Sequence, residues 1–160
     1  MKILIISDTH GNLKNFYKVL ETEKPIDNLL HLGDFIGDDD EIRAAADCAC
    51  AFVRGNCDIF SNERDVRDFG LLSHNVHMEH GQMLPYDLDS IAARAKYLGA
   101  DILLFGHTHS PLSVFHNGVY IINPGSLSRP RQPDHRPSYV IMDIDKDGTL
   151  QIEIKYLESA

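Results

Sequence analysis

The chain has 160 residues, of which 43% are apolar, and its formal net charge is −9 at pH 7. This length allows one sizeable hydrophobic core and is too short for two ordinary domains, so we expect a single domain over residues 1–160. The negative charge would repel a phosphate backbone over most of the surface, which argues against a nucleic-acid partner.

The amino-terminal segment predicts a buried strand. Lys2 to Ser7 is an almost continuous apolar run, typical of a strand covered on both faces of a parallel sheet. Its apolar part, Ile3 to Ile6, is too short for a signal peptide or a membrane span. We therefore expect a cytoplasmic protein without a membrane partner.

Alternating helices and strands are predicted from there to about residue 106. Leu13, Phe16, Tyr17 and Leu20 recur at the spacing of one helix face, and Lys24-Pro25 ends that helix. The remaining elements of this part are, in chain order, a strand over residues 28–32, a helix that begins at residues 38–41, strands over residues 48–53 and 76–79, a helix over residues 88–98 and a strand over residues 101–105.

The carboxyl-terminal third has the character of antiparallel strands. Residues 112–122 contain two strand-like runs around Asn117-Gly118, a strong signal for a two-residue hairpin turn. Residues 139–156 contain a second such pair around Asp147-Gly148. Strand–helix alternation followed by hairpins predicts an α/β fold of two packed mixed β-sheets flanked by helices.

Five short polar motifs each follow one of the apolar strands. In chain order they are Asp8-Thr9-His10, Gly33-Asp34, Gly55-Asn56-Cys57-Asp58, His80-Gly81 and Gly106-His107-Thr108-His109. Because ligands bind at the carboxyl ends of the strands in open α/β sheets, we expect these motifs to meet in space.

The motifs supply two carboxylates, one carboxamide and four imidazoles. Such donors suit divalent ions, with manganese as the first candidate and nickel, iron and zinc as alternatives. Seven donors are too many for one tetrahedral ion, so we expect two ions per chain. The predicted metal ligands are Asp8, His10, Asp34, Asn56, His80, His107 and His109. Cys48, Cys50 and Cys57 lack a paired spacing and are expected to be free thiols.

These residues resemble the motifs of the calcineurin-like metallophosphoesterases, which run D-x-H, G-D, G-N-x-D/E, a strand ending in H, and G-H-x-H. The match spans residues 8–109, and the rest of the chain fits the second sheet of that family. Gly-Asn-Cys-Asp and Asn123-Pro124-Gly125-Ser126 are most similar to the small single-domain prokaryotic phosphodiesterase branch. The resemblance implies an α-β-β-α sandwich.

The resemblance also implies a role for each motif residue. Asp8, His10 and His109 would bind the first metal, and Asn56, His80 and His107 the second, with Asp34 bridging both. A hydroxide between the metals would attack a small phosphodiester in line with its leaving oxygen. The candidate catalytic residues are Asn56, Cys57 and Asp58.

One departure and several rival functions remain open. Much of the family has a histidine after the asparagine, and here Cys57 takes that place, so the source of the leaving-group proton is open. A phosphomonoesterase or protein phosphatase and a non-catalytic scaffold of the same fold are the alternatives, and a homo-oligomer is possible. A nuclease fits the acidic charge poorly.

Other polar groups are interpreted as structural. Asp143, Asp145, Asp147 and Gly148 mimic a calcium loop, but Ile154 takes the place of its bidentate glutamate, so we expect a hairpin turn. Cys48 and Cys50 share one strand face and are predicted to pack in the core. We assign no functional role to His31, His74, His77 and His116. A solvated loop is expected to contain Arg129, Arg131 and Arg136, and the alternative is that this loop lends an arginine to the substrate phosphate.

Overall fold

The computed structural model describes residues 1–158, which form ten strands and three helices. In chain order the elements are β1 (Lys2–Ile6), α1 (Lys14–Glu23), β2 (Asn28–His31), α2 (Asp39–Ala46), β3 (Ala49–Phe52), β4 (Val66–Leu71), β5 (His74–Glu79), α3 (Leu88–Tyr97), β6 (Ile102–Leu104), β7 (Leu112–His116), β8 (Val119–Asn123), β9 (Ser138–Ile144) and β10 (Leu150–Tyr156).

β1 is the central strand of the first sheet, whose strand order is β10-β9-β1-β2-β3. It pairs parallel with β2 and antiparallel with β9. Because successive side chains alternate between faces, Leu4 and Ile6 join the core under α1 and α2, whereas Ile3 and Ile5 face the second sheet. All four side chains are fully buried, which confirms the predicted strand with two covered faces.

The second sheet has the strand order β4-β5-β6-β8-β7, in which β5, β6 and β8 are parallel. Met78 and Leu104 belong to the core between the two sheets. On the outer face Leu103 packs with Ile91 of α3. The predicted α/β fold of two packed mixed sheets with flanking helices is therefore confirmed.

Two expectations about the strands need correction. The carboxyl-terminal third is not wholly antiparallel, because β8 pairs parallel with β6 and Leu103 lies opposite Ile121. A hairpin signal such as Asn117-Gly118 specifies the pairing of β7 with β8 and carries no information about the other edge of β8. The strand β4 was not predicted, because it is an edge strand with half-exposed side chains and an internal glycine, Gly70.

Both predicted hairpin turns are present. Asn117 and Gly118 have φ of +49° and +82°, which matches the turn that Asn-Gly favours between two strands. Gly148, with φ of +88°, lies in the turn between β9 and β10. Within residues 1–158, no helix combines the length and the apolar character that crossing a bilayer requires.

Candidate metal centre

The five polar motifs converge at the carboxyl ends of strands from both sheets. Asp8, Asp34 and Asn56 follow β1, β2 and β3 of the first sheet, whereas His80 and His107 follow β5 and β6 of the second. The backbone N–H of His107 donates to Asp8 Oδ2 at 3.0 Å and so joins the two sheets here. The sequence predicted convergence along a sheet edge, and the structure shows that the site spans two sheets.

Each of the two carboxylates has one oxygen held by protein donors and one directed into the site. Asp8 Oδ2 accepts from the Ser7 hydroxyl and from the His107 N–H, while Asp34 Oδ1 accepts from the Cys57 N–H at 2.9 Å. Among the described residues, Asp8 Oδ1 is buried and has no hydrogen-bond donor. Burial raises the pKa of Asp8, but the nearby imidazole of His10 and then the other neighbours hold it well below its ordinary value.

Two of the imidazoles have their tautomer fixed by carbonyl oxygens. His80 Nδ1 donates to Leu32 O at 2.7 Å, and His109 Nδ1 donates to Arg129 O at 2.7 Å. Because a carbonyl oxygen only accepts, the proton lies on Nδ1 and the Nε2 lone pair faces the site. Metal-binding histidines are typically oriented in this way.

These lone pairs face the carboxylate oxygens at short range. His80 Nε2 lies 3.2 Å from Asp34 Oδ2, and His109 Nε2 lies 3.1 Å from Asp8 Oδ1. Two acceptors at such distances repel each other unless a proton or a cation lies between them. Burial lowers the pKa of His80, but Asp34 and Asp8 outweigh burial and raise it. The residues therefore fit divalent cations, which would take the place of that proton.

The remaining two histidines complete the site. His10 Nε2 lies 3.7 Å from Asp8 Oδ1 and 3.7 Å from Asp34 Oδ2. His107 Nδ1 lies 3.3 Å from His80 Nε2, and burial followed by the charge of His80 lowers the His107 pKa, which favours a neutral ring. We name as the ligand cluster the six residues Asp8, His10, Asp34, His80, His107 and His109.

The geometry divides these side chains into overlapping groups. Within each group the ligand atoms lie within 4.8 Å of one another, and the groups are Asp8, His10 and His109; Asp8, Asp34 and His80; and His10, Asp34 and Cys57. The first group is the trio that the family resemblance implies for one metal. The third adds a thiol that the sequence had not suggested as a donor.

The third motif places its residues differently. Asn56 is exposed, and within residues 1–158 its Nδ2 contacts Cys57 Sγ at 3.6 Å rather than a histidine of the ligand cluster. Asp58 is buried, and its two oxygens accept the backbone N–H groups of Asp34 at 2.6 Å, Ile36 at 2.8 Å and Gly55 at 2.8 Å. The carboxylate of Asp58 therefore shapes the loops after β2 and β3 from behind the site.

Hydroxyl and amide side chains outside the predicted set hold the site's backbone. Ser126 Oγ and Ser128 Oγ donate to Asp8 O at 2.7 and 3.0 Å, and Asn123 Nδ2 donates to Gly106 O at 2.9 Å. The sequence pointed to Asn123 and Ser126 only through the family resemblance. Ser128 carried no signal, because a serine in a polar loop is common.

Backbone strain is concentrated in the ligand cluster. Five of its members have φ between +48° and +66°, where residues other than glycine are uncommon, and these are Asp8, His10, Asp34, His107 and His109. Such conformations each cost about 1–3 kcal/mol and collect at functional sites. Gly55 permits a close approach, because a Cβ there would lie 2.1 Å from Asp34 Oδ1.

The residues interpreted as structural are engaged elsewhere. His31 is buried against Thr9 Oγ1 at 3.0 Å, and burial lowers its pKa to about 3, so it is neutral. Cys48 and Cys50 pack against the core under α1 and α2, and both are free. Arg136 pairs with Asp134. Outside the ligand cluster, further contacts are made by His74 with Asp101, by His77 with Asp68 and by His116 with Asp89.

The loop with the remaining basic residues adjoins the site through its backbone. Arg129 O accepts from His109 Nδ1, and Arg131 N–H donates to His109 O at 2.9 Å. Both arginines are exposed. The expected solvated loop is therefore attached directly to one of the predicted metal ligands.

Comparison with known proteins identifies the class. Residues 1–147 match the calcineurin-like phosphoesterase superfamily domain, and the chain belongs to that superfamily. A probable metallophosphoesterase of Mycoplasma genitalium is 30% identical over 100% of this chain and 98% of its own length. Another from Bacillus subtilis is 33% identical over 92% of this chain and 87% of its own length. Membership implies a phosphoric ester hydrolase that depends on divalent metal.

Solved structures agree with the fold. A predicted phosphoesterase from Streptococcus pneumoniae superposes with a TM-score of 0.80 at 24% identity, covering 97% of this chain and 88% of the other. A Vps29 variant from Entamoeba histolytica gives 0.78 at 25% identity over 99% and 100% of the chains. An archaeal phosphodiesterase gives 0.75 at 22% identity over 97% and 100%.

Proposed function

We propose that this protein hydrolyses phosphodiesters with two divalent ions held at the ligand cluster. The proposed ligands are Asp8, His10 and His109 for one ion, Asn56, His80 and His107 for the other, and Asp34 for both. The observation that carries the proposal is the buried Asp8 Oδ1, which faces the His109 lone pair without a donor from the described residues.

The chain's own residues supply orientation. A bound metal pair would supply Lewis acidity toward the phosphate oxygens and a water nucleophile at neutral pH. Ser7 and the His107 N–H hold Asp8 so that its other oxygen points into the site. We assign Asp58 a positioning role, because its oxygens are occupied by loop amides, and leave Asn56 and Cys57 as the residues that would contact substrate.

Charge favours a diester over a monoester. Two divalent ions against Asp8 and Asp34 leave a formal charge of about +2, which a negatively charged nucleophile lowers to about +1. A monoanionic diester neutralises that charge, whereas a dianion would need further cations. Five arginines are already paired with carboxylates outside the ligand cluster, and these are Arg43, Arg54, Arg67, Arg94 and Arg136. Arg129 and Arg131 adjoin His109 through their backbone, and both side chains are exposed to solvent.

The decisive experiment compares methyl 4-nitrophenyl phosphate with 4-nitrophenyl phosphate on protein loaded with manganese, nickel, iron or zinc. We expect kcat/KM for the diester to be at least about tenfold higher and a chelator to remove the activity. Asp8→Asn should abolish turnover, and Asp89→Asn, on the exposed side of α3, is the control. A monoester advantage contradicts the diester assignment, and activity that survives both chelator and Asp8→Asn contradicts the metal mechanism.

A non-catalytic scaffold is the second candidate. It is favoured by the superposition on Vps29, whose TM-score of 0.78 lies between the values of 0.80 and 0.75 for the two phosphoesterase structures. Against it stands the ligand cluster, in which two carboxylates and four imidazoles converge. A protein that binds metal stoichiometrically but hydrolyses neither ester would support the scaffold.

A further inference from the structure

Two separate cavities lie beside the ligand cluster, one lined by its neighbour Cys57 and the other by its member His107, and they share no lining residue. The first has a volume of about 440 Å³ and lies among the loops that follow β2 and β3, where its walls include Phe35, Ile36, Cys57, Ile59 and Phe60. The Cys57 sulfur lies within 4.8 Å of the ligand atoms of His10 and Asp34. This cavity therefore approaches the ligand cluster through Cys57, from the side of the first sheet.

The second cavity reaches the ligand cluster from the side of the second sheet. It has a volume of about 360 Å³ and lies between the β5–α3 loop and the β6–β7 loop. Leu84, Tyr86, Ile91 and Phe105 contribute to its walls, and His107 lies at its border. Because His107 Nδ1 is 3.3 Å from His80 Nε2, this cavity also ends at the proposed metal ligands.

An unpacked aromatic side chain lines each cavity. Phe60 is 97% exposed in the first and Tyr86 is completely exposed in the second. In the first cavity Ile36 is also half-exposed. Its φ of +51° is uncommon for a β-branched residue, and its backbone N–H donates to Asp58 Oδ1. Ile59 is exposed beside Phe60 and Ile36 in the first cavity, and a group of exposed apolar side chains next to a polar site is typical of a surface that a ligand covers.

Neither cavity is built to receive a second phosphate. Glu63 and Asp39 line the first cavity, and both carboxylates are paired with Arg43. The polar residues of the second include the neutral side chains Gln82 and Thr108. Uncharged organic groups therefore suit both cavities better than anions do.

We propose that the two cavities are subsites for the two organic groups of a phosphodiester, with the phosphate at the ligand cluster between them. This inference rests on the proposed function and narrows the substrate class to diesters with an aryl-sized or larger apolar group on each side. A diester with one methyl group would leave one cavity unfilled.

A binding experiment tests the subsites without relying on turnover. Diphenylphosphinate and methyl(phenyl)phosphinate are monoanions whose P–C bonds resist hydrolysis, and they differ in one organic group. Titration calorimetry on the metal-loaded protein should show that diphenylphosphinate binds at least about fivefold more tightly, because the second ring buries apolar surface. Phe60→Ala and Tyr86→Ala should each reduce that advantage, whereas Tyr97→Ala, an exposed tyrosine outside both cavities, should not.

A kinetic experiment then tests which cavity takes the leaving group. The substrates are phenyl 4-nitrophenyl phosphate and methyl 4-nitrophenyl phosphate, with each rate divided by its uncatalysed rate. We expect Phe60→Ala and Tyr86→Ala each to lower kcat/KM for the phenyl compound about fivefold, chiefly through KM, and the double variant to multiply the two losses. The methyl compound has only its nitrophenyl leaving group to fill a cavity. Only the variant in the cavity that takes this group should lower kcat/KM for the methyl compound, and that variant identifies the leaving-group cavity.

The outcomes separate the two proposals. Equal affinity for both phosphinates would overturn the subsites even if no diester is hydrolysed. Where diesters are hydrolysed, the subsites would also be overturned if each variant lowered kcat/KM by the same factor for the phenyl and the methyl compound. If the protein discriminates between the phosphinates but hydrolyses no diester, the proposed function is contradicted and the subsites are supported.

Discussion

The side chains of the candidate centre differ in how many of the proposed metal sites they adjoin, and both carboxylates adjoin two, since Asp8 Oδ1 lies 3.1 Å from His109 Nε2 and 3.8 Å from His80 Nε2. Asp34 Oδ2 lies near both His80 Nε2, at 3.2 Å, and His10 Nε2, at 3.7 Å, which belong to different proposed metal sites. His109 Nε2 faces Asp8 Oδ1 and His10. Asp34 is therefore placed to affect both ions, and His109 to affect one.

This difference predicts the metal content of two variants. Asp34→Asn should lower the affinity for both ions, because a neutral carboxamide replaces the shared charge, whereas His109→Ala should remove one ion and retain the other. Elemental analysis after dialysis measures the stoichiometry, with His116→Ala as a control outside the ligand cluster. Two retained ions in Asp34→Asn would contradict the bridging assignment.

Cys57 stands at the border between the first cavity and the ligand cluster. Burial and then the charge of Asp34 raise the pKa of its thiol, so the thiol is protonated near neutral pH. We expect Cys57→Ala to keep its metal and to lose less than about tenfold in kcat for a nitrophenyl diester, whose leaving group needs little protonation.

An alkyl leaving group makes the same test sharper. An alkoxide leaving group depends more on protonation than a nitrophenolate does. A loss of more than about a hundredfold in kcat for Cys57→Ala, with its metal content intact, would therefore show that Cys57 is the general acid. The control is Cys48→Ala, because Cys48 precedes β3 and packs against the core under α1 and α2, away from the ligand cluster.

At the scale of elements, the loop after β3 must pass very close to the loop after β2. A Cβ on Gly55 would lie 2.1 Å from Asp34 Oδ1 and 2.5 Å from Asp34 N. Gly55→Ala should therefore displace Asp34 and impair metal binding, measured by calorimetry.

Gly99 provides the matched control, because it has φ of +76° and no atom within 4 Å of an added Cβ. Gly99→Ala should cost about 1 kcal/mol of stability through backbone strain and leave metal affinity unchanged. Equal metal affinity in both variants would show that the close approach has no role at the site.

The predictable parts of the structure are those that local pattern determines. The run Ile3–Ile6 predicted a strand with two covered faces, and Asn117-Gly118 predicted its hairpin, because neighbours along the chain make those contacts. The parallel pairing of β8 with β6 was missed, since no local signal encodes it. Asp58 has the same sequence context as the predicted ligands, and only the fold shows that it binds backbone amides instead.

At the scale of the molecule, Glu23 ties α1 to three strands. It is 2% exposed, accepts from Tyr139 Oη at 2.7 Å and pairs with Lys155 at 2.8 Å and Lys2 at 3.0 Å. Burial raises the pKa of Glu23, but these partners outweigh burial and lower it below its ordinary value of 4.5. The charged form is therefore favoured by folding.

A depressed pKa in the folded state gives stability that is present above the unfolded value and lost as the pH falls through the folded value. Glu23→Gln should therefore lower the free energy of unfolding by about 2 kcal/mol near pH 7, and the difference should shrink below about pH 4. Urea denaturation across pH measures it, with Glu21→Gln on the exposed face of α1 as the control. A difference that does not change with pH would contradict the ionic explanation.

The hydrogen bonds from Ser126 and Ser128 to the Asp8 carbonyl also bear on when the site forms during synthesis. Asp8 emerges from the ribosome early, but the residues that fix its backbone, and the strand β9 that pairs with β1, come more than a hundred residues later. Contacts of such long separation form slowly. We therefore expect a nascent chain to present these carboxylates and imidazoles without their final arrangement, so that the choice of metal is made by the finished protein.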